Sequence, residues 1–254
     1  MRSSSWLAAA LAAVLFGLCG RAWAGPPFRT DDPEPVPWRH WEVYIASTGF
    51  YSHLLGGFST LPHVEVNYGP VPGVQLHMIA PMVIAAPPGG PRAYGYGDTE
   101  LGMKVRFLEQ SRYLPEIGTF PLVEAPSGDA ARGLGAGYTQ VFIPIWLQKD
   151  WGGKPDDPAW TSYGGGGWWR NPGPGNRNWF FFGWELQRNL SDKLMIGGEV
   201  FHEGANTTAP GGGTGFNLGG QYNFSEHRHL LYSAGLDQQS GRTFVWYGAY
   251  QWTF

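Results

Sequence analysis

Seven histidines, with Ser, Asp and Glu neighbours, are the residues of this chain that could carry chemistry. His227 and His229 flank Arg228 at a turn-like stretch, and His202-Glu203 lacks the second His that a zinc-binding helix needs at the next turn. Solvated turn and strand histidines account for both. Ser52-His53 and Ser225-Glu226-His227 have the residue types of a hydrolase site, but nothing in the spacing turns a base toward a nucleophile. The run Gly164 to Gly167 is not followed by Lys-Ser/Thr, so it is no phosphate loop. Beside Trp168 and Trp169 it reads as a strand near a membrane interface. Thr30-Asp31-Asp32-Pro33-Glu34-Pro35 has carboxylates enough for a cation but sits in a Pro-rich, extended stretch. No catalytic residue, metal or cofactor follows from these patterns, and the chain reads as not an enzyme.

The charged residues with a pattern alternate with apolar ones. Glu65 lies between Val64 and Val66, and Glu100, Gly102, Lys104 and Arg106 interleave with Leu101, Met103, Val105 and Phe107. Glu185 sits between Trp184 and Leu186. Period two places such sets on opposite faces of a strand. If one face meets lipid, the polar set must turn away from it, since Arg or Lys at mid-membrane costs roughly 2–4 kcal/mol. The lumen-facing candidates are Glu42, Glu65, Glu100, Lys104, Arg106, Glu124, Glu185 and Glu199, with Glu116 on the same count. They either fill the interior with a polar network or line a route whose charges set selectivity. Gly102, Gly118, Gly183, Gly197 and Gly219 remove bulk from that face, while Phe120, Phe142, Trp146 and Phe181 point inward too. An interior so lined suits small aromatic or aliphatic solutes better than sugars.

The elements that must position these residues are strands. The chain is 16% aromatic and 15% charged, with 39 Gly, 13 Trp and 12 Tyr. After the first two dozen residues no apolar run approaches the roughly 18 needed for a spanning helix. Alternating segments at 40–51, 59–68, 73–84, 98–108, 115–125, 138–149, 159–169, 178–188, 193–203, 214–224, 228–236 and 242–254 number twelve. Short turns such as Ser225 to Arg228 alternate with longer Gly/Pro-rich links such as Pro126 to Gly137 and Gly204 to Gly213, although Asp150 to Pro158 is longer than its place requires. The predicted fold is all-β: a transmembrane antiparallel up-and-down barrel of about 12 strands, spanning 40–254. The last strand sets Trp246, Tyr250, Trp252 and Phe254 on one face and stops on an aromatic. That pattern resembles the signal by which the barrel-assembly machinery takes up outer-membrane proteins. At the other end, Arg2, the apolar stretch Trp6 to Leu18 and Ala22-Trp23-Ala24 predict a signal peptide, 1–24, cleaved before Gly25. Cleavage there removes Cys19. Residues 25–39 are then expected to be an extended, Pro-rich periplasmic lead-in. Net charge of -3 gives no footprint for nucleic acid.

Three stretches carry a family resemblance: Gly25-Pro26-Pro27-Phe28 with TDDPEPV at 30–36, GYGDTELGMKVRF at 95–107, and FPLVEAPSGDAARGLG at 120–135. Together they resemble the transporter-like bacterial outer-membrane barrels labelled for the MetA pathway of phenol degradation. The resemblance implies an outer-membrane barrel and, through the family's label, uptake of aromatic compounds. It brings no catalytic residue. The expected function is a passive channel or transporter for small, hydrophobic or aromatic molecules, with outer-membrane lipid and the solute as partners. The rivals are a structural or surface-interaction barrel with a blocked lumen and, further off, a lipid-modifying enzyme.

Overall fold

A computed structural model describes residues 26–154, 157–209, 211–238 and 242–254; the expected signal peptide lies outside them. The strands are β1 (Trp41–Ser52), β2 (Gly56–Val71), β3 (Val74–Ala86), β4 (Ala93–Tyr96), β5 (Thr99–Leu108), β6 (Glu116–Thr119) and β7 (Leu122–Ala125). They continue as β8 (Gln140–Lys154), β9 (Asp157–Arg170), β10 (Trp179–Ser191), β11 (Leu194–Glu203), β12 (Gly213–Ser225), β13 (Arg228–Asp237) and β14 (Thr243–Thr253). β4 and β5 lie end to end along β3, and β6 and β7 lie end to end between β5 and β8. Fourteen strands therefore make twelve staves, each antiparallel to its neighbours.

The ring closes where β1 meets β14, in register from Glu42↔Thr253 to Tyr51↔Phe244. Beyond the last register pair, the Trp41 N–H donates to the Phe254 carbonyl at 2.6 Å and the Phe254 N–H to Trp41 at 3.0 Å. Closure leaves no edge to seek a partner, the condition for a sheet to stand in hydrocarbon. The terminal aromatic thus lies at the seam.

Alternation is preserved around the ring. On β10, Gly183, Glu185 and Gln187 are buried while Phe182, Trp184 and Leu186 face outward, Trp184 with 53% of its surface exposed. Ile45, Met78, Leu101, Ile143, Val200, Phe216 and Leu218 extend that apolar outer band. Aromatic pairs mark its margins: Trp41 stacks on Tyr68 at 4.3 Å at the short-turn end, and Phe180 on Phe182 at 6.0 Å at the other. Such rings at the ends of an apolar belt are the interfacial girdles of a membrane barrel.

Two connections differ from expectation. β8 and β9 run on to Lys154 and Asp157, which pair in register, so most of the stretch expected as a long link is strand. Trp151 and Trp160 pair across these extensions, apolar surface that keeps the hairpin in register. Ala93 to Tyr96, expected within a loop, pairs with Met82 to Ala85 on β3, and the next residue, Gly97, donates its N–H to the Pro81 carbonyl at 2.9 Å. The link that follows β7 folds inward: Leu134 packs on Val83 and Ala85, and the Asp98 carboxylate accepts from Gly128 and Ala136 N–H at 2.8 and 2.6 Å.

Leu218, mid-strand on the outer face and 67% exposed, tests the orientation. Leu218→Arg should destabilise the protein refolded into lipid vesicles by about 2–4 kcal/mol in denaturant titration. A neutral substitution would mean this face does not meet hydrocarbon.

Candidate functional site

The interior is not empty. The segment expected to be a periplasmic lead-in enters the barrel: from Trp38, bridged to Gly69 on β2, residues 26–37 run up inside the ring. It lies in the lumen, with turns and bends over its first residues. Its composition explains how it survives there. Prolines at 26, 27, 33, 35 and 37 have no N–H to satisfy, and several of the remaining donors are met one by one. Arg29 and Thr30 N–H both donate to the Glu199 carboxylate at 2.8 Å, and Val36 N–H donates to Gln75 at 2.9 Å. Asp31 and Asp32 side chains accept from the N–H groups of Asp32 and Glu34 at 2.7 and 2.6 Å.

Side chains tie the segment to the opposite wall as well. Lys104 Nζ lies 2.9 Å from Asp31 and 3.3 Å from Asp32, with Lys104 and Asp32 both buried. Arg29 pairs with Glu203 and with Asp237, the latter at 3.7 Å, and lies over the Phe201 ring at 4.8 Å. Ser233 Oγ donates to the Pro27 carbonyl, and Gln148 Nε2 to Glu34 at 3.3 Å.

Lumen glycines make the berth. A methyl on Gly183 would overlap Thr30 Oγ1, one on Gly118 would stand 2.9 Å from the Pro33 side chain, and one on Gly197 3.1 Å from the Phe28 ring. Three of the five glycines read as creating internal space therefore accommodate the chain's own N-terminal segment. Gly102 and Gly219 do not: a Cβ there would meet wall residues Phe120 and Leu122, or Ser233.

The predicted lumen residues divide by what they touch. Glu42, Glu65, Lys104, Glu185 and Glu199 are buried inside the ring. Glu199 and Lys104 hold the segment. Arg106 bonds Glu116 at 3.3 Å and pairs with exposed Glu109 at 3.5 Å. Glu100 and Glu124 face each other in register between β5 and β7. Glu185 stands directly beside Glu199 in register, neither of its carboxylate oxygens in a hydrogen bond.

What remains open is a cavity of about 530 Å³ inside the barrel, beside the segment. One wall is aromatic: Phe142 stacks on Trp169 at 4.7 Å, Trp169 on Trp179 at 5.6 Å, and Phe181 meets Phe142 and Trp146 edge-on at 6.5 and 6.2 Å. The glycine run on β9 makes this packing possible, since a methyl on Gly167 would stand 2.5 Å from the Phe142 ring and one on Gly165 3.1 Å from Trp146. The other wall is polar: Glu42 accepts from Tyr44 at 2.6 Å, Glu65 from Asn67 at 2.9 Å, and His77 bridges Asn67 and Glu100 at 2.6 and 2.9 Å.

The residues weighed for catalysis are elsewhere. Ser52 is buried, accepting from Leu54 and Leu55 N–H, and His53 is exposed. His202 points outward to Thr214, while Glu203 points inward. His227 lies exposed at the turn; His229 differs from the expected solvated histidine, being buried against Asn223 at 2.8 Å. Among the described residues no group of His, Cys, Asp and Glu is arranged to hold a metal ion. The sequence missed His63, His77 and Trp179, because nothing in one strand says what stands beside it in the next. Adjacent Asp31-Asp32 in a Pro-rich stretch, against one inward lysine on β5, was the available signal.

No protein-family model and no curated protein sequence matches the chain. Solved structures do. An outer-membrane channel from Pseudomonas putida F1 aligns with a TM-score of 0.64 at 15% identity, over 91% of this chain and 100% of that one. The translocator domain of autotransporter NalP from Neisseria meningitidis aligns at 0.53 and 12% identity, over 99% and 96%. The NanC porin aligns at 0.52 and 8% identity, over 84% and 98%. At such identities the likeness is one of fold, and the chain shares the closed barrel of outer-membrane proteins. The phenol-degradation resemblance rests on the residues quoted for it.

Removing Lys104's charge leaves two carboxylates beside each other without their shared cation. Breaking a buried pair in this way costs about 3–5 kcal/mol, which the segment relieves by leaving. Lys104→Met should therefore speed labelling of a Val36→Cys reporter by a membrane-impermeant maleimide, and Gly183→Val should do so by filling the berth of Thr30. Equal labelling rates would show the segment is held by neither contact.

Proposed function

We propose that the chain is a passive outer-membrane channel for small solutes, which pass the cavity and then the N-terminal segment. The observation that carries this is the interior: a closed ring with an apolar outside encloses a cavity of about 530 Å³ lined by both aromatic and polar side chains. A barrel serving only as a scaffold has no use for such a space, and pockets of roughly 300–1,000 Å³ are of a size for small ligands. The stacked aromatic wall supports hydrophobic or aromatic solutes, in keeping with the transporter-like family the chain resembles. Glu42, Glu65 and Glu100 line the path and are its candidate selectivity residues. Glu199 and Lys104 belong to the seat of the segment. Export by the predicted signal peptide and assembly through the C-terminal strand complete the reading.

The blocked structural barrel keeps one observation in its favour, the many bonds that hold residues 26–37 in place. Conductance separates the two. In a planar bilayer the full chain should give small, discrete steps, and a chain lacking residues 26–37 should give steps several-fold larger. Silence from both proteins across voltages would leave the structural barrel standing.

A further inference from the structure

The cavity has more negative charge than the protein answers. Six carboxylates line it (Asp31, Glu34, Glu42, Glu65, Glu100 and Glu203) against two fixed cations, Arg29 and Lys104. Both cations are already engaged, Arg29 with Glu203 and Asp237, Lys104 with Asp31 and Asp32. Glu42, Glu65 and Glu100 are left with Tyr44, Asn67 and two histidines, His63 and His77. Glu42 is 5% exposed, and its Oε1 is buried with no hydrogen-bond partner although the residue lines the cavity. A buried carboxylate oxygen without a donor is costly unless something brings one.

The aromatic wall stands in line with these carboxylates. Following the register from strand to strand, Glu42 leads to Asn67, His77, Gly102, Leu122, Phe142 and Trp169. Because barrel strands tilt, a row perpendicular to them climbs around the wall. This row rises from carboxylate at the end of the barrel that holds the tight turns to stacked indoles at the end that holds the long links. Aromatic faces attract cations, and carboxylates pair with them; neither attracts an anion.

We infer that the cavity selects organic cations: a protonated amine carried on a small apolar or aromatic body. The ammonium turns to Glu42, with Glu65 and Glu100 beside it, and the apolar body to Phe120, whose ring lies 5.1 Å from His77. This deepens the channel reading and rests on it for transport, though not for binding.

Binding of 2-phenylethylammonium, 2-phenylethanol and phenylacetate to the full chain in zwitterionic detergent, corrected for empty micelles, tests the inference. The three probes share a body and differ in charge. The ammonium should bind about tenfold tighter than the alcohol, and phenylacetate weakest. Glu42→Gln should lose most of that advantage and leave the alcohol unchanged. Equal binding of all three, preference for the acid, or an undiminished ammonium preference in Glu42→Gln would each overturn the inference. Should the variant fail to fold, the three-probe comparison on the unaltered protein still decides. Bilayer recordings keep the readings apart: conductance without ammonium preference sinks this inference alone, and ammonium preference without conductance sinks the channel.

Discussion

A strand crossing hydrocarbon must give every N–H and C=O a partner within the protein, because the lipid offers none. In this chain that requirement is met by the pairing of the first strand with the last, Trp41 to Phe254 and Glu42 to Thr253. The other features are conditional on it. Only a closed ring separates inside from outside, and only that separation gives meaning to the alternation of Phe182, Trp184 and Leu186 with Gly183, Glu185 and Gln187. An open sheet of the same sequence would have Glu42 and Gln251 at an edge with no shielded interior to face.

Closure sets a second problem. Twelve staves enclose more volume than their own inward side chains fill, and the inward set is rich in carboxylates. The chain fills part of that space with itself. Residues 26–37 suit the task because proline removes donors and Asp side chains cap the backbone that remains. Their carboxylates answer Lys104, their N–H groups answer Glu199, and Arg29 answers Glu203 and Asp237. The segment does not answer Glu42, Glu65 or Glu100, and the remaining cavity is found beside those residues. Filled and unfilled regions are thus distinguished by chemistry as well as by space.

Much of this was legible in the residue order. Twelve staves, the short-turn and long-link asymmetry and the inward placement of Glu42, Glu65, Lys104, Glu185 and Glu199 follow from period two, a local property of extended chain. Inward Phe120, Phe142, Trp146 and Phe181 were legible for the same reason, and they pack as one cluster with Phe201. The long β8–β9 hairpin was not. Gly152 and Gly153 read as loop, yet their strands carry on past them because Trp151 and Trp160 pair across the gap. The glycines at 118, 183 and 197 were read as space, but not for whom.

Sequence by itself determined the faces: which side chains meet lipid, which meet the lumen, and that the first strand starts and the last strand finishes at the same end of the barrel. These follow from alternation and strand parity, which need no knowledge of neighbours. The tertiary structure alone decided what meets across the lumen. Lys104 with Asp31 and Asp32, Thr30 in the hollow at Gly183, and the row from Glu42 to Trp169 are products of register and strand tilt. Register is a relation between strands far apart in sequence, and the course of a proline-rich segment depends on the hydrogen bonds offered by walls that exist only once the ring has closed.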